Sequence, residues 1–442
     1  MSLSDALGHR VSGATSASLE AYEQAARELL CLVDDPVASV ERSLAASADM
    51  TMAHVLKAWL NLLGTESASL PAARAALAEA AALPADAREQ RHIAAAQAWT
   101  AGRWRKAALR LEDLSLEYPR DTLALQVGHQ LDFFLGASRM LRDRIARALP
   151  AWDEGMPGWH ALLGMHAFGL EECGDYDAAE RQGRRSVELE PRDSWGWHAV
   201  AHVLEMRHAP RDGIAWLQPT RESWAAGSFL ACHNVWHLAL YHLELDDHDA
   251  VLALYDQSIG GTGSAVVLDM IDASAMLWRL MLRGVDVGGR WQTLAERWSP
   301  LADAGWYAFN DLHAMLAFVG AGRQADQRRL LDAQSRVISE GGDNAMFTRE
   351  VGHPAALAVA DFGDGDHRQA AALLRGIRDH AHRFGGSHAQ RDLIDLTLLE
   401  AALRSGQPGL ALGLSAERQA QRPLSALAQR TWRRALALPR AG

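Results

Sequence analysis

The chain has 442 residues, of which 49% are hydrophobic and 22% are charged. Single compact cores stop growing at about 250–300 residues, so we expect either several domains or an extended array of repeats. The composition excludes a disordered chain. The formal net charge of −11 argues against a protein that binds nucleic acid through an overall basic surface, and we predict no nucleic-acid partner.

The three cysteines, Cys31, Cys173 and Cys232, cannot all pair within one chain, and the sequence has no CxxC zinc pattern. The N-terminal segment MSLSDALGHR does not have the pattern of a secretory signal. No run of about 18 apolar residues is present that would span a membrane. These features predict a cytoplasmic protein without a membrane partner.

In chain order, the sequence predicts helix after helix, because alanine, leucine, arginine and glutamate dominate it. Residues 1–50 are predicted to form one or two N-terminal cap helices. Residues 51–435 are predicted to form one continuous array of helix pairs, with irregular insertions near 209–232 and 256–266. Residues 436–442 are predicted to be a C-terminal tail.

Glycine, alanine and proline recur at the spacing of tetratricopeptide repeats, which are helix pairs of about 34 residues. Glycine permits the left-handed turn after a first helix, alanine lets the second helix pack closely, and proline stops that helix. Two segments carry all three residues, namely Gly102/Ala107/Pro119 and Gly174/Ala179/Pro191. The turn spacing alone recurs in Gly320/Ala325, Gly365/Ala370 and Gly406/Ala411.

The predicted fold class is therefore all-α. We expect an α-solenoid of tetratricopeptide-like helix pairs that forms one superhelix and could curl closed around a central pocket. In such an array each helix pair contacts its neighbours along the chain, and the first helices of the pairs line the concave face. Side chains on those first helices are the candidates for a binding surface.

Four long strings resemble segments of the tetratricopeptide-repeat protein 38 family. They are HNVWHLALYHLE (233–244), LDMIDASAMLWRLMLRGVDVGGRW (268–291), FNDLHAMLAFVGAG (309–322) and GGSHAQRDLIDLTLLEAAL (385–403). The similarity runs over most of the chain and is densest between residues 120 and 435. The resemblance implies a helical-repeat fold, here in a bacterial member of the family, and it implies no settled reaction. The HxH strand motif of amidohydrolases is absent.

Histidines cluster on the predicted first helices. His198, His202 and Glu205 have the i, i+4, i+7 spacing that places side chains on one helix face, and His233 and His237 repeat the i, i+4 spacing. The four histidines are candidate ligands of a transition metal such as zinc, with Glu205 available to complete the set. Histidines packed in the core with hydrogen-bonded nitrogens would give the same pattern, and this is the interpretation we favour. No cofactor is therefore predicted.

Polar side chains also interrupt helices that otherwise consist of apolar residues. A buried carboxylate is costly unless it is paired or hydrogen-bonded, so these residues form either an internal network or the lining of a wet pocket. We predict a concave pocket for a small polar molecule or a peptide end. Its candidate ligand-binding residues are His198, His202, Glu205, His233, Asn234, Trp236, His237, Asp269, Asp272, Asn310, Asp311, His313, His388, Arg391 and Asp392.

Inter-helix hydrogen bonding and helix capping are the structural alternative to a pocket. In that interpretation Ser387 caps a helix over residues 388–403, and Asp311 only orients a histidine. Nucleophilic catalysis is disfavoured, because Cys232 and the adjacent His233 point in different directions on a helix. The sequence contains no nucleophile elbow, P-loop or dinucleotide fingerprint.

The catalytic residues are unknown, and the candidates are His237, Asp272, Asp311 and His313. Asp311 with His313, or Asp272 with His237, could act as a base and its orienting group. An enzyme that uses the pocket, as a metal-assisted or acid–base hydrolase, is thus one alternative. A plain scaffold that binds protein segments in an open groove is the other. A homo-oligomer formed through the ends of the array is a further prediction.

Overall fold

A computed structural model describes residues 3–439 of the chain. Helices form nearly all of the regular structure, and consecutive helices pack on one another, so the predicted all-α helical-repeat class is confirmed. The described residues divide into two compact units: unit 1 contains residues 3–203 and 220–231, and unit 2 contains residues 204–219 and 232–439. No helix in this part of the chain is long and apolar enough to cross a bilayer.

The described residues of the first half of the chain form a small hairpin and thirteen α-helices. They are β1 Leu3–Ser4, β2 Arg10–Val11, α1 Ser16–Cys31, α2 Pro36–Ala46, α3 Thr51–Leu63, α4 Leu70–Ala82, α5 Ala87–Thr100, α6 Trp104–Glu117, α7 Thr122–Phe134, α8 Ser138–Ala148, α9 Trp159–Glu172, α10 Tyr176–Leu189, α11 Ser194–Met206, α12 Pro210–Leu217 and α13 Arg221–Ala225.

The second half contains twelve further helices. They are α14 Ala231–Glu244, α15 His248–Leu254, α16 Val267–Leu282, α17 Arg290–Trp298, α18 Ala308–Gly320, α19 Gln324–Glu340, α20 Asp343–Phe347, α21 His353–Gly363, α22 His367–Ile377, α23 His388–Arg404, α24 Pro408–Gln421 and α25 Ala426–Leu436. One π-helical turn, Tyr255–Ile259, extends α15, and a second, Thr348–Gly352, joins α20 to α21.

The segment predicted as N-terminal cap helices contains α1 and α2, preceded by the antiparallel β1–β2 hairpin. Strands of two residues leave no alternating pattern in a sequence, which is why helices alone are predicted there. α5 holds the hairpin in place: Arg88 Nη2 donates to the carbonyl of Arg10 at 3.2 Å, and Glu89 Oε1 accepts from the Ser12 amide at 2.9 Å.

The predicted insertions are partly helical. Segment 209–232 contains α12 and α13, and segment 256–266 contains most of the π turn followed by an irregular loop. Of the predicted tail, Leu436 ends α25 and residues 440–442 lie outside the described residues. The prediction of one uninterrupted superhelix stays a prediction.

In most places the turns between helices lie at the glycines predicted from the sequence. Gly102 and Gly174 have φ of 73° and 84°, the left-handed conformation that the predicted turns require. The turn predicted at Gly320 is wrong, because Gly320 ends α18 and the left-handed residue is Gly322, with φ of 67°. A Cβ on Gly320 would lie 2.3 Å from Trp291 Cδ2, so this glycine serves close packing.

Unit 1 is built from successive helix pairs whose interiors are filled by large aromatic side chains. Trp99 lies 5.3 Å from Trp104 and 5.9 Å from Trp59 between ring centroids, and all three are fully buried. The end of α1 also meets the 220–231 segment of the same unit, through a β-bridge between Val33 and Ser228. These tryptophans pack the core of unit 1.

Unit 2 is arranged around α16, which packs against α17, α18 and α23. Trp278 on α16 donates to Thr397 Oγ1 on α23 at 2.9 Å. The first and last helical segments of the unit also meet: Arg422 pairs with Glu205 at 3.3 Å, and Arg430 pairs with Asp246. Unit 2 therefore has contacts between distant repeats as well as between neighbours.

Candidate functional site

The first predicted histidine pair lies on α11 in unit 1. His198 and His202 share one helix face, with ring centroids 4.4 Å apart in an edge-to-face arrangement, and both are buried. Trp195 and Phe168 pack against His198 at 4.8 and 5.2 Å. The i, i+4 spacing thus places the two rings together as predicted, among aromatic side chains.

The second predicted pair lies on α14 in unit 2. The rings of His233 and His237 are 4.9 Å apart, again edge to face. Trp236 stacks on His233 with an interplanar angle of 12° and meets His237 edge-on at 5.0 Å. Asn234, another predicted ligand residue, is fully buried on the same helix.

A carboxylate orients one histidine of this pair. Asp272 on α16 accepts from His233 Nδ1, with Nδ1–Oδ distances of 2.8 and 2.9 Å. The predicted pairing of Asp272 with His237 is wrong, because Asp272 meets the first turn of α14 and His237 lies one turn further on. Burial raises the pKa of Asp272, while the neighbouring His233 acts in the opposite direction.

The predicted Asp311–His313 pair does not form. Residues two apart on a helix point in different directions, so Asp311 meets Gln334 Nε2 at 3.4 Å, and His313 Nδ1 donates to the carbonyl of Phe309 at 2.8 Å. Burial raises the pKa of Asp311 to about 7 and lowers the pKa of His313 to about 4. His313 is therefore a neutral imidazole whose Nε2 carries a lone pair.

Arg279 is the residue that the sequence analysis missed. It lies in the middle of α16 and is 3% exposed. Nη2 donates to the carbonyl of Ala389 at 2.6 Å, and the guanidinium carbon lies 5.6 Å from the centre of the Trp236 ring. The buried Nη1 has no hydrogen-bond partner within residues 3–439. Burial lowers the pKa of Arg279 to about 10, so it remains charged at neutral pH.

The carboxylates of Asp392 and Glu205 lie close enough to Arg279 to raise its pKa, and each is hydrogen-bonded to another arginine. Asp392 accepts from Arg418 at 2.8 and 3.1 Å, and Glu205 accepts from Arg422. Burial would raise the pKa of Asp392, yet Arg418 and Arg422 hold it below its usual range. Glu205, a predicted metal ligand, is therefore paired with Arg422. These five side chains comprise three arginines and two carboxylates.

We call Trp236, Arg279 and His313 the Arg279 site. The positive charge of Arg279 contributes to lowering the pKa of His313, after the larger effect of burial, so the two side chains lie within electrostatic range. Like Arg279 Nη1, both Trp236 Nε1 and His313 Nε2 are buried with no hydrogen-bond partner in the described part of the chain. The site thus combines a cation, a neutral acceptor and an aromatic N–H donor.

The other predicted ligand residues lie toward the surface. His388 is exposed, and Arg391 is half-buried and donates to the carbonyl of Gly386. Asp269 and Asn310 are half-buried. Burial raises the pKa of Cys232 well above its usual value, with Asp272 and Asp269 adding to the effect. A thiol in this state is a weak nucleophile.

The chain matches no model of a known protein family. The resemblance to the tetratricopeptide-repeat protein 38 family stays a prediction based on the four strings. Three of these strings contribute directly to the Arg279 site, since Trp236, Arg279 and His313 each lie in a different one. A group in unit 1, Glu171, Glu172 and His202, has the composition and spacing of metal ligands.

Proposed function

We propose that unit 2 binds the oxyanion of a small polar molecule or of a peptide end at the Arg279 site. The observation that supports this is the buried Arg279, which has no carboxylate of its own among the described residues. Asp392 and Glu205 compensate this charge only in part, because each is hydrogen-bonded to another arginine, and an unmet buried donor costs about 1–3 kcal/mol. An anionic ligand that accepts from Nη1 would compensate the remaining charge and satisfy this donor.

The neighbouring groups define the kind of ligand. A guanidinium prefers planar oxyanions such as carboxylate, which it binds through two N–H groups, and it also binds phosphate. The neutral His313 Nε2 accepts a hydrogen bond, so the ligand should carry an ammonium, amide or hydroxyl donor beside its anion. The Trp236 ring offers an apolar face. An amino acid, a hydroxy acid or a peptide C-terminus has this chemistry.

Calorimetric titration of the full-length protein tests the proposal. The probes are a tripeptide with a free C-terminal carboxylate, the same tripeptide as its C-terminal amide, and inorganic phosphate. We expect the free acid to bind and the amide to bind at least about 30-fold more weakly, since losing a charged hydrogen bond costs about 2–5 kcal/mol. Binding of phosphate alone would identify the ligand class as phosphorylated rather than carboxylic.

Arg279→Met keeps the length of the side chain and removes its charge, and it should abolish binding. Arg279→Lys keeps the charge and loses the planar fork, so partial binding is expected. The matched control is Arg430→Met, which removes an arginine of the same unit that pairs with Asp246 away from the Arg279 site. If no probe binds the wild-type protein, or if Arg279→Met binds as well as wild type, the proposal is wrong.

The Asp272–His233 pair supports a second candidate function, acid–base catalysis. A carboxylate that accepts from Nδ1 fixes the tautomer of an imidazole and directs Nε2 toward a substrate. A panel of ester and peptide substrates would detect such an activity. The assays should cover about pH 5 to pH 9, which spans the range in which histidine titrates. His233→Gln should remove it and Cys232→Ser should not. An activity unchanged in His233→Gln would argue against this role.

A further inference from the structure

Unit 1 brings three ligand-type side chains together. Glu171 and Glu172 are the last two residues of α9, and His202 lies on α11. All three are buried, and one ligand atom from each lies within 4.8 Å of the others. His202 Nδ1 lies 3.5 Å from Glu171 Oε2.

The position of the two glutamates on α9 is unusual for helix electrostatics. The C-terminal end of a helix carries partial negative charge, so lysine, arginine and histidine are favoured there and acidic residues are not. α9 ends with two buried carboxylates. Its last turn lies entirely within the described residues and contains no basic residue. A bound cation at this end would be stabilised by both carboxylates and by the helix dipole.

The surroundings of the group fix its side chains. Ser138 Oγ donates to Glu172 Oε2 at 3.1 Å, which orients one carboxylate. The His202 ring is held edge-on between Phe168 at 5.1 Å and His198 at 4.4 Å. Hydrogen bonds and packing behind the ligands are a regular feature of protein metal sites, because they fix ligand orientation.

From this arrangement we propose that Glu171, Glu172 and His202 bind one divalent transition-metal ion. The imidazole disfavours magnesium and calcium, which take oxygen ligands, while two carboxylates disfavour copper(I). Zinc, iron(II), manganese and cobalt(II) suit a mixed set of this kind. This site differs from the four-histidine set predicted from the sequence, and it does not depend on the proposed function of unit 2.

The first experiment measures the metal content of untagged full-length protein, purified without chelators, by elemental mass spectrometry. The protein is then stripped by dialysis against a chelator and titrated with Zn²⁺ by calorimetry, and Co²⁺ is added in parallel to follow its visible absorption. We expect one equivalent of Zn²⁺ to bind and a cobalt spectrum in the visible region. If the stripped protein takes up neither ion, the proposal is wrong.

Variants then assign the ligands. Glu171→Gln and Glu172→Gln preserve shape and should weaken Zn²⁺ binding more than ~100-fold, beyond the roughly 10–100-fold loss typical of groups behind the ligands. His202→Ala should do the same. The matched controls are Glu180→Gln on α10 and His166→Ala on α9, which should bind Zn²⁺ like wild type. Because His202→Ala leaves a buried space that could unfold the unit, the two isosteric glutamine variants decide the result.

Three further variants separate this proposal from its alternatives. Loss of metal in His233→Ala or His237→Ala, with Glu171→Gln unaffected, would assign the metal to the histidines predicted from the sequence and overturn the present set. Arg279→Met should leave Zn²⁺ affinity unchanged, so a failure of ligand binding in unit 2 and a failure of metal binding in unit 1 remain distinguishable.

Discussion

Both units bury arginine side chains, but the charges of Arg144 in unit 1 and Arg279 in unit 2 are compensated differently. In unit 1, Arg144 bonds Asp132 through Nε at 2.7 Å and Nη2 at 3.0 Å, with both side chains almost fully buried. In unit 2, Arg279 is equally buried, and among residues 3–439 its side chain hydrogen-bonds only the backbone carbonyl of Ala389. An arginine with its own carboxylate is explained by the fold, whereas one without it points to a ligand.

A second buried group in unit 1 follows the same rule as Arg144. Asp121 accepts from Arg88 at 2.8 Å and from His92 at 2.9 Å, and it also caps α7. Burial alone would raise the pKa of Asp121, but His92 and Arg88 lower it. Such a group needs no partner from outside the chain. The comparison therefore assigns a structural role to these ion pairs, and the proposed binding role of the Arg279 site depends on the contrast with them.

The largest expected effect comes from breaking the compensated pair. Asp132→Ala leaves Arg144 buried and unpaired, and it should lower the free energy of unfolding by about 3–5 kcal/mol in urea denaturation. Burial acts to raise the pKa of Asp132 and Arg144 acts to lower it. One-sided loss of such a buried pair is costly, because the remaining charge is left uncompensated. The control is Asp143→Ala, which removes a carboxylate bonded to the largely exposed Arg139 and should change little. A small effect of Asp132→Ala would break the comparison.

A smaller, pH-dependent effect is expected at Asp311 in unit 2. The unfolded carboxyl ionises near its ordinary pKa, about 4, and the folded one stays protonated up to about pH 7. Folding therefore loses free energy as the pH rises between these values. Asp311→Asn should be more stable than wild type by roughly 2–4 kcal/mol at pH 8, and the difference should vanish near pH 4.

Thermal unfolding of Asp311→Asn and wild type across this pH range measures the effect. Asp143→Asn in unit 1 provides a control of opposite sign. Burial acts to raise the pKa of Asp143, but Arg142 and Arg139 hold it below its ordinary value. That control should be only slightly less stable than wild type at pH 8. Equal stability of Asp311→Asn and wild type at every pH would show that Asp311 is hydrated in solution.

The smallest expected effect on stability is that of Arg279→Met. Replacing a buried charge by an apolar side chain of similar length is often neutral or stabilising, so we expect the variant to unfold at the same urea concentration as wild type, or to be stabilised by up to about 1 kcal/mol. The measurement is equilibrium denaturation without ligand. A loss of several kcal/mol would instead show that Arg279 stabilises the folded unit, and the contrast with Arg144 would disappear.

Much of the local structure could be predicted from the sequence. Ser387 caps α23 by accepting from the Gln390 amide, and the helix spans His388–Arg404, close to the predicted 388–403. The i, i+4 histidine pairs also lie on single faces as expected. These features depend on neighbours within one helix turn, where spacing alone determines which side chains share a face.

The partners across helices could not be predicted in the same way. Whether Asp272 meets His233 or His237 depends on how far α16 is shifted along α14, and the sequence carries no record of that shift. Arg279 is not among the residues predicted for the site, most of which are histidines and carboxylates. Its signal is nevertheless present, since a single arginine in the apolar run MLWRLML has no exposed face to occupy.

The bond from Arg279 to Ala389 has a consequence for how unit 2 folds. Ordinary helical-repeat arrays can fold from any repeat outward, because each repeat contacts only its neighbours. Here α16 completes its contacts only after the chain has returned with α23, and Glu205 meets Arg422 only near the end. During synthesis on the ribosome, the early helices of this unit therefore cannot complete their contacts until the late helices have been made. We expect a slow, cooperative folding step, and a nascent chain that depends on chaperones until α24 has been synthesised.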